Sequence, residues 1–322
     1  MKAAVIDGYG GSDRLDVREV PDPGPPGPGQ VLVRVRATSI NPVDWKIRRG
    51  SLRLVLPARR FPLILGYDAA GEVADIVPEV TRFQVGDPVF GGIDTQNTGG
   101  AYAELALARE DALASIPESL SFEEAAALPV AGLTALQALR DKGELVAGER
   151  VAIHGGSGGV GHLAIQIACA LGGKVTATAS HRNQQLLRDL GAHRAIDYEE
   201  EDLTAEDDAW DILFDTVGNL SYRDVEPSLA GDGGIYVTTI THPSSLGWSA
   251  LTAIQGLFGQ KKRSRLVVVR HKSEDLAALA RLADQGRMRP EIQEVFPLEK
   301  IRQAHDLSET GRVRGKLVVR LD

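Results

Sequence analysis

RVAIHGGSGGVGHLAIQIACAL, residues 150–171, is the stretch on which the fold turns. Residues 151–153 read as a short apolar strand, a glycine-packed turn follows, and the apolar run after it predicts a helix ending at Gly172. Within the turn, Gly156, Gly158 and Gly161 stand at G-x-G-x-x-G spacing. In a dinucleotide fold the first such glycine permits the tight turn out of the strand. The second lets the backbone approach a pyrophosphate, and the third lets the helix pack closely on the sheet. The diphosphate then rests on unpaired N–H groups between Gly156 and Gly161, Ser157 among them, at the positive end of the helix. Glycine-rich turns are common, and it is the flanking strand and helix that separate this one from a purely structural turn.

Downstream, strand and helix signals alternate. Residues 175–179, 195–198, 212–216, 235–240 and 266–269 read as the second to sixth strands, and residues 183–190 as a helix stopped by Gly191. Such alternation predicts an α/β domain with a doubly wound parallel sheet covered on both faces. Upstream the character differs. VLVRVR, residues 31–36, alternates apolar and basic residues, as a strand with one face in a core does. The run PDPGPPGPGQ before it can continue neither helix nor sheet. Short strand signals in residues 61–75, 83–92 and 101–107, broken by Gly and Pro, predict a compact β-rich first domain. Ser121 and Glu124 then stand at capping-box spacing, opening a helical run that Pro129 is expected to kink or split. The tail ends in KLVVRL, a strand expected to rejoin the first domain.

Composition narrows the function. The 322 residues are 43% hydrophobic and 25% charged, an ordinary soluble pattern with a prior of about two domains. A net charge of −8 and a pI near 5.5 argue against a nucleic-acid or anionic-membrane surface. Cys169 is the single cysteine, which excludes an intramolecular disulfide and a Cys₄ zinc site. The first ten residues have one lysine and no long apolar core, and no apolar run approaches the roughly 18 residues of a membrane helix. A cytoplasmic location is expected.

The segments NPVDWKIRRG, PLILGYDAAGEV, RFQVGDPVFG, GGAYAELAL, AAALPVAGLTALQAL, IHGGSGGVG, LLRDLGAHRAIDY and DTVG carry a resemblance over nearly the whole length. The chain resembles the zinc-independent quinone oxidoreductases of the medium-chain dehydrogenase/reductase superfamily, which include zeta-crystallin and the plant alkenal reductases. The resemblance implies a GroES-like β-rich catalytic domain over residues 1–122 and 287–322, a Rossmann domain over residues 123–286, an active site in the cleft and a homodimer. Where zinc-dependent relatives would place catalytic ligands, this chain has Asn41 and Tyr67, poor substitutes for thiolate and imidazole. No metal is expected.

For the cofactor, NADPH is expected over NADH. The second strand is followed by Ser180, His181, Arg182 and Asn183, with no carboxylate to hold a ribose 2′-hydroxyl. Ser180 and Arg182 suit a 2′-phosphate instead. The resemblance adds Tyr198 at the same phosphate, Thr134 at the nicotinamide ribose and backbone at Gly159 and Val160 on the diphosphate. It also adds Val217 and Gly218 on the adenosine side, Ile240 on the nicotinamide side, and Lys316 closing over the cofactor. Without a metal to polarise a carbonyl, conjugated acceptors such as quinones and α,β-unsaturated carbonyls fit best. Candidate pocket residues are Asn41 as a hydrogen-bond donor, Trp45 and Tyr67 as flat walls, Tyr67 also as proton donor, and Tyr102. Asp44 and Asp68 read as structural partners of nearby arginines. Alternatives are a trans-acting reductase of enoyl thioesters and a non-catalytic NADPH-binding sensor or structural protein.

Overall fold

The computed structural model describes residues 1–54, 56, 61–93, 99–239, 243–256, 259 and 261–321. In chain order the first strands are β1 (Lys2–Ile6), β2 (Asp16–Glu19), β3 (Gln30–Ser39), β4 (Leu63–Ile64), β5 (Asp68–Ile76), β6 (Pro88–Gly92), β7 (Leu105–Arg109) and β8 (Leu113–Ser115). They are followed by β9 (Arg150–His154), β10 (Lys174–Ala179), β11 (Arg194–Asp197), β12 (Ile212–Asp215), β13 (Ile235–Thr238), β14 (Arg263–Leu266), β15 (Ile292–Pro297) and β16 (Lys316–Arg320). The helices are α1 (Pro42–Arg48), α2 (Phe122–Ala126), α3 (Pro129–Leu136), α4 (Gly161–Ala170), α5 (Gln184–Asp189), α6 (Tyr222–Val225), α7 (Pro243–Gly256), α8 (Ser273–Asp284) and α9 (Ile301–Glu309). No helix among the described residues is long and apolar enough to cross a membrane.

The chain divides into two compact units, Met1–Leu133 with Arg270–Asp322, and Thr134–Val269. The boundaries differ from those expected. Helix α8 belongs to the first unit because it packs on β8 and its Leu279 covers Gly132, where a Cβ would lie 2.8 Å from Leu279 Cδ1. The other boundary falls inside α3.

In the first unit, β3 is the spine. Val31, Val33 and Val35 are buried while Arg34 is exposed, so the alternation does put one face into the core. Antiparallel partners β5, β7 and β16 surround it, and β15 adds in parallel beyond β16. The C-terminal strand thus completes the N-terminal sheet, with Val318 opposite Ser39. The Ser121–Glu124 capping box forms, and Pro129 separates α2 from α3.

In the second unit six parallel strands lie in the order β11-β10-β9-β12-β13-β14, the doubly wound order whose ligands bind beyond the strands' carboxyl ends. The sixth strand comes earlier than expected. β14 pairs through Arg263 to Leu266, and Val268 beyond it is 63% exposed, so the apolar run begins at the end of the strand and continues past it. Ser121→Ala should cost about 1 kcal/mol, the usual worth of an N-cap hydroxyl, read as a lower urea midpoint; an unchanged midpoint would contradict this role.

Candidate active site

The turn after β9 is built for a close backbone approach. Gly155, not Gly156, takes the left-handed conformation that turns the chain out of the strand, with φ +81°. Gly156 instead allows tight packing, since a Cβ there would lie 2.9 Å from Ala177 Cβ and Leu187 Cδ2. At Gly161 a Cβ would sit 2.1 Å from the carbonyl oxygen of Gly155, so the start of α4 can approach the strand end only as glycine. A Cβ on Gly158 would meet nothing but Gly155 O, at 3.3 Å, which leaves that face open. The N–H groups of Ser157, Gly159 and Val160 have no backbone acceptor among the described residues. Open space, free N–H groups and the positive end of a ten-residue helix fit a dinucleotide diphosphate.

Neighbouring strand ends hold this turn in place. Thr178 Oγ1 accepts the N–H of Gly155 at 3.1 Å and lies 3.0 Å from His154 Nδ1, while His154 Nε2 lies 2.8 Å from Asn219 Oδ1. Because that amide oxygen only accepts, Nε2 carries the proton and Nδ1 accepts from the threonine hydroxyl. Asp215, fully buried at the end of β12, accepts from the N–H groups of Val217, Gly218 and Leu220 and from Tyr236 Oη. Burial first, and then the Asp215 charge, raises the Tyr236 phenol. The loop bearing Val217 and Gly218 is therefore fixed by a buried carboxylate.

Ala179 pairs with Asp197, so the chain leaves β10 and β11 side by side. Ser180 begins a short turn carrying exposed Arg182, and Tyr198 is 55% exposed next to it. Asn183 Nδ2 reaches back to Ser157 Oγ at 3.2 Å, tying this turn to the glycine turn. The carboxylate of Asp197 is occupied locally: Oδ1 accepts the N–H of Glu199, and Oδ2 lies 3.5 Å from His181 Nδ1. Thr134 is buried in α3. Ile240 lies outside the described residues.

The first unit holds a second polar centre, entirely buried. Asp68 Oδ2 accepts from Ser39 Oγ, from Asn41 Nδ2 at 2.7 Å and from Lys316 Nζ at 3.4 Å, and its Oδ1 accepts from the N–H of Val130 at 2.8 Å. Lys316 Nζ also donates to Asn41 Oδ1 at 2.6 Å and Ile40 O at 3.3 Å. Lys316 is 3% exposed, and the three contacts of its ammonium all lie inside this cluster. Asn41 is also 3% exposed, and its backbone N–H donates to Asp44 Oδ2 at the start of α1. Tyr67 packs into the apolar core, while Trp45 is half-buried with Lys46 Nζ 5.6 Å and the Arg49 guanidinium 5.7 Å from its ring centre.

Tyr102 lies in the core of the first unit. It is fully buried and donates to Asp44 Oδ2 at 2.9 Å, while His305 Nε2 lies 3.2 Å from its hydroxyl. Arg48 only donates, so His305 Nδ1, 3.4 Å from Arg48 Nη1, accepts, and Nε2–H then donates to Tyr102. Among the described residues neither aspartate pairs with an arginine: Arg48 and Arg49 both pair with Glu309, and the cation at Asp68 is Lys316. Asp44 Oδ1 is buried with no hydrogen-bond partner among the described residues. Burial, and to a lesser degree the Asp68 charge, raises the Asp44 carboxyl to about 7. Burial and the Arg48 charge lower His305 to about 3. Sequence reading gave no role to Ser39, His154, Thr178, Asp215 and His305; His154 and Asp215 stand inside IHGGSGGVG and DTVG, but those segments do not record which groups the two side chains hold.

Comparison with known proteins gives the following. A family model described as Alcohol dehydrogenase GroES-like domain matches residues 27–118, and one described as Zinc-binding dehydrogenase matches residues 190–319. The chain is 34% identical to the chloroplast envelope quinone oxidoreductase homolog of Arabidopsis thaliana, over 99% of this chain and 98% of that one. Its structure resembles the quinone oxidoreductase from Coxiella burnetii with a TM-score of 0.87 and 37% identity, covering 100% of this chain and 99% of the other. It also resembles the Escherichia coli quinone oxidoreductase complexed with NADPH, with a TM-score of 0.83, 26% identity and complete coverage of both chains (100% and 100%).

Asp44 and His305 act on stability in opposite directions. Asp44, raised from 3.8 to about 7, holds in the folded state a proton that the unfolded chain has lost, so its contribution falls as pH rises through that window. His305, lowered from 6.5 to about 3, refuses a proton that the unfolded chain takes up, so its contribution rises with pH between those values. Asp44→Asn leaves the histidine's share unopposed. Its urea-unfolding stability, relative to wild type, should climb between pH 4 and 6.5 by up to about 1.4 kcal/mol per pH unit; parallel curves would contradict it.

Proposed function

This chain belongs to the quinone oxidoreductase family of the medium-chain dehydrogenase/reductase superfamily, and we propose that it is an NADPH-dependent, zinc-independent reductase of quinones and α,β-unsaturated carbonyls. The observation that carries this reading is the donor set of the buried cluster in the first unit. Zinc needs ligands with lone pairs to offer. Here the Asp68 oxygens are taken by Ser39, Asn41, Lys316 and Val130, the Asn41 carbonyl holds an ammonium, and Tyr67 is embedded in apolar side chains. These residues do not fit a zinc ion. An unconjugated ketone would then lack its usual polarisation, whereas a quinone or enone is already activated.

A bound reduced nicotinamide would supply the hydride. The chain's own residues bind and orient. Ser157, Gly158, Gly159 and Val160 cradle the diphosphate, held by Gly156 and Gly161 packing beneath them. Val217 and Gly218, fixed by Asp215, border the adenosine side, and Thr134 meets the nicotinamide ribose. Ser180, Arg182 and Tyr198 take the 2′-phosphate, a role favoured by their common place at the ends of β10 and β11 and by the local occupation of the Asp197 carboxylate. The NADPH named for the E. coli relative agrees with this choice. In the first unit, Asn41 donates to the oxygen on which charge builds as the acceptor is reduced, and Trp45 and Tyr67 give flat surfaces.

Steady-state kinetics with a quinone and an enone test the reading. kcat/KM should favour NADPH over NADH, and Arg182→Ala should weaken that preference by about tenfold or more, the worth of one charge-assisted hydrogen bond. Equal or higher kcat/KM with NADH would overturn the cofactor assignment.

A further inference from the structure

A count of the polar hydrogens in the buried cluster leaves one over. The Lys316 ammonium has three hydrogens and meets Asn41 Oδ1, Ile40 O and Asp68 Oδ2. Asp68 Oδ2 is met by Ser39, Asn41 and Lys316, and its Oδ1 by the N–H of Val130. Asn41 receives the ammonium on Oδ1 and gives one Nδ2 hydrogen to Asp68. Its second Nδ2 hydrogen is unspent among the described residues.

Only one orientation of that amide is compatible with its neighbours. Turned over, it would set NH₂ against an ammonium and a carbonyl against a carboxylate, two repulsions in a low-dielectric interior. The clamp is set by sheet register. The antiparallel pairing that places Val318 opposite Ser39 continues through the Ile40 N–H to Leu317 O bond at 2.9 Å, which brings Lys316 opposite Asn41. An ammonium on the amide oxygen also draws electron density from the nitrogen, which strengthens the remaining N–H as a donor.

We propose that Lys316 is a positioning residue for Asn41: together with Asp68 it clamps and polarises the amide, so that the remaining Nδ2–H is aimed at the acceptor's developing oxyanion. Lys316 has no hydrogen left for a cofactor phosphate. This rests on the reductase reading for the oxyanion, and on the cluster geometry alone for the clamp.

The test is a cycle of Lys316→Gln and Asn41→Ala, with three readouts. NADPH dissociation constants from fluorescence titration should stay within about threefold of wild type. Lys316→Gln should lower kcat by about tenfold or more, but by less than about twofold once Asn41 is alanine, because the lysine acts through the amide. In ¹H–¹⁵N spectra, the side-chain amide pair that disappears in Asn41→Ala should shift in Lys316→Gln. A tenfold rise in the NADPH constant with kcat retained, additive losses in kcat, or an unmoved amide pair would each overturn the proposal. If Lys316→Gln does not fold, Lys316→Arg keeps the charge and should show the same split, with kcat lowered and NADPH binding kept; the reverse split overturns it. A wild-type chain that reduces no quinone or enone would sink the proposed function, and the amide shift would still decide the role of Lys316.

Discussion

Asp68 is fully buried, and a carboxylate out of reach of water must have its lone pairs met by donors from the chain. Ser39 comes from β3, Asn41 caps α1, Val130 lies in α3 and Lys316 opens β16. Satisfying one side chain at the start of β5 therefore fixes four other elements. Removing any donor would leave a buried charge short of a partner, a far larger penalty than the net worth of the bond itself. The cluster is a structural joint, and the same set of bonds leaves a single amide hydrogen unspent among the described residues.

The second unit repeats the device. Asp215 is also fully buried, and its donors are three backbone N–H groups and one phenol, so it shapes a loop where Asp68 joins strands and helices. Asp44 is the contrasting case. Among the described residues it has donors on Oδ2 only, from Asn41 and Tyr102, and nothing on Oδ1. Its charge yields instead, and the carboxyl is raised to about 7, mainly by burial. Asp68 and Asp215 each meet four donors and anchor the elements that supply them, where Asp44 meets two.

Much of this was legible in the chain, and the limits have physical causes. The alternation in β3 and the strand–helix rhythm after Arg150 are local patterns set by which faces meet a core, and both form as read. Glycine spacing located the turn, the open face at Gly158 and the close packing at Gly161, but gave Gly156 the tight turn that Gly155 makes. Which glycine takes positive φ depends on how Thr178 holds the N–H of Gly155 from the next strand, and spacing does not record that. The pairing of Asp44 and Asp68 with arginines failed for a similar reason. Arginines are close in sequence, yet Lys316, 248 residues from Asp68, is the cation that sheet register delivers. Tyr102 in GGAYAE reads like a pocket aromatic, but its ring covers Gly66, where a Cβ would fall 2.4 Å from Tyr102 Cδ1. Apolar and glycine patterns report local geometry; partners brought by the closing strand of a sheet do not show in them.

On the proposed reading, an amide–ammonium–carboxylate cluster with one amide hydrogen left over suits reduction of a conjugated carbon rather than of a carbonyl. NADPH carrying deuterium on the transferred position of the nicotinamide, turned over with an acyclic enone, tests this most directly through the position of the label in the product. Deuterium on the β-carbon of a saturated ketone is the expected result. Deuterium on the carbinol carbon of an allylic alcohol would contradict it.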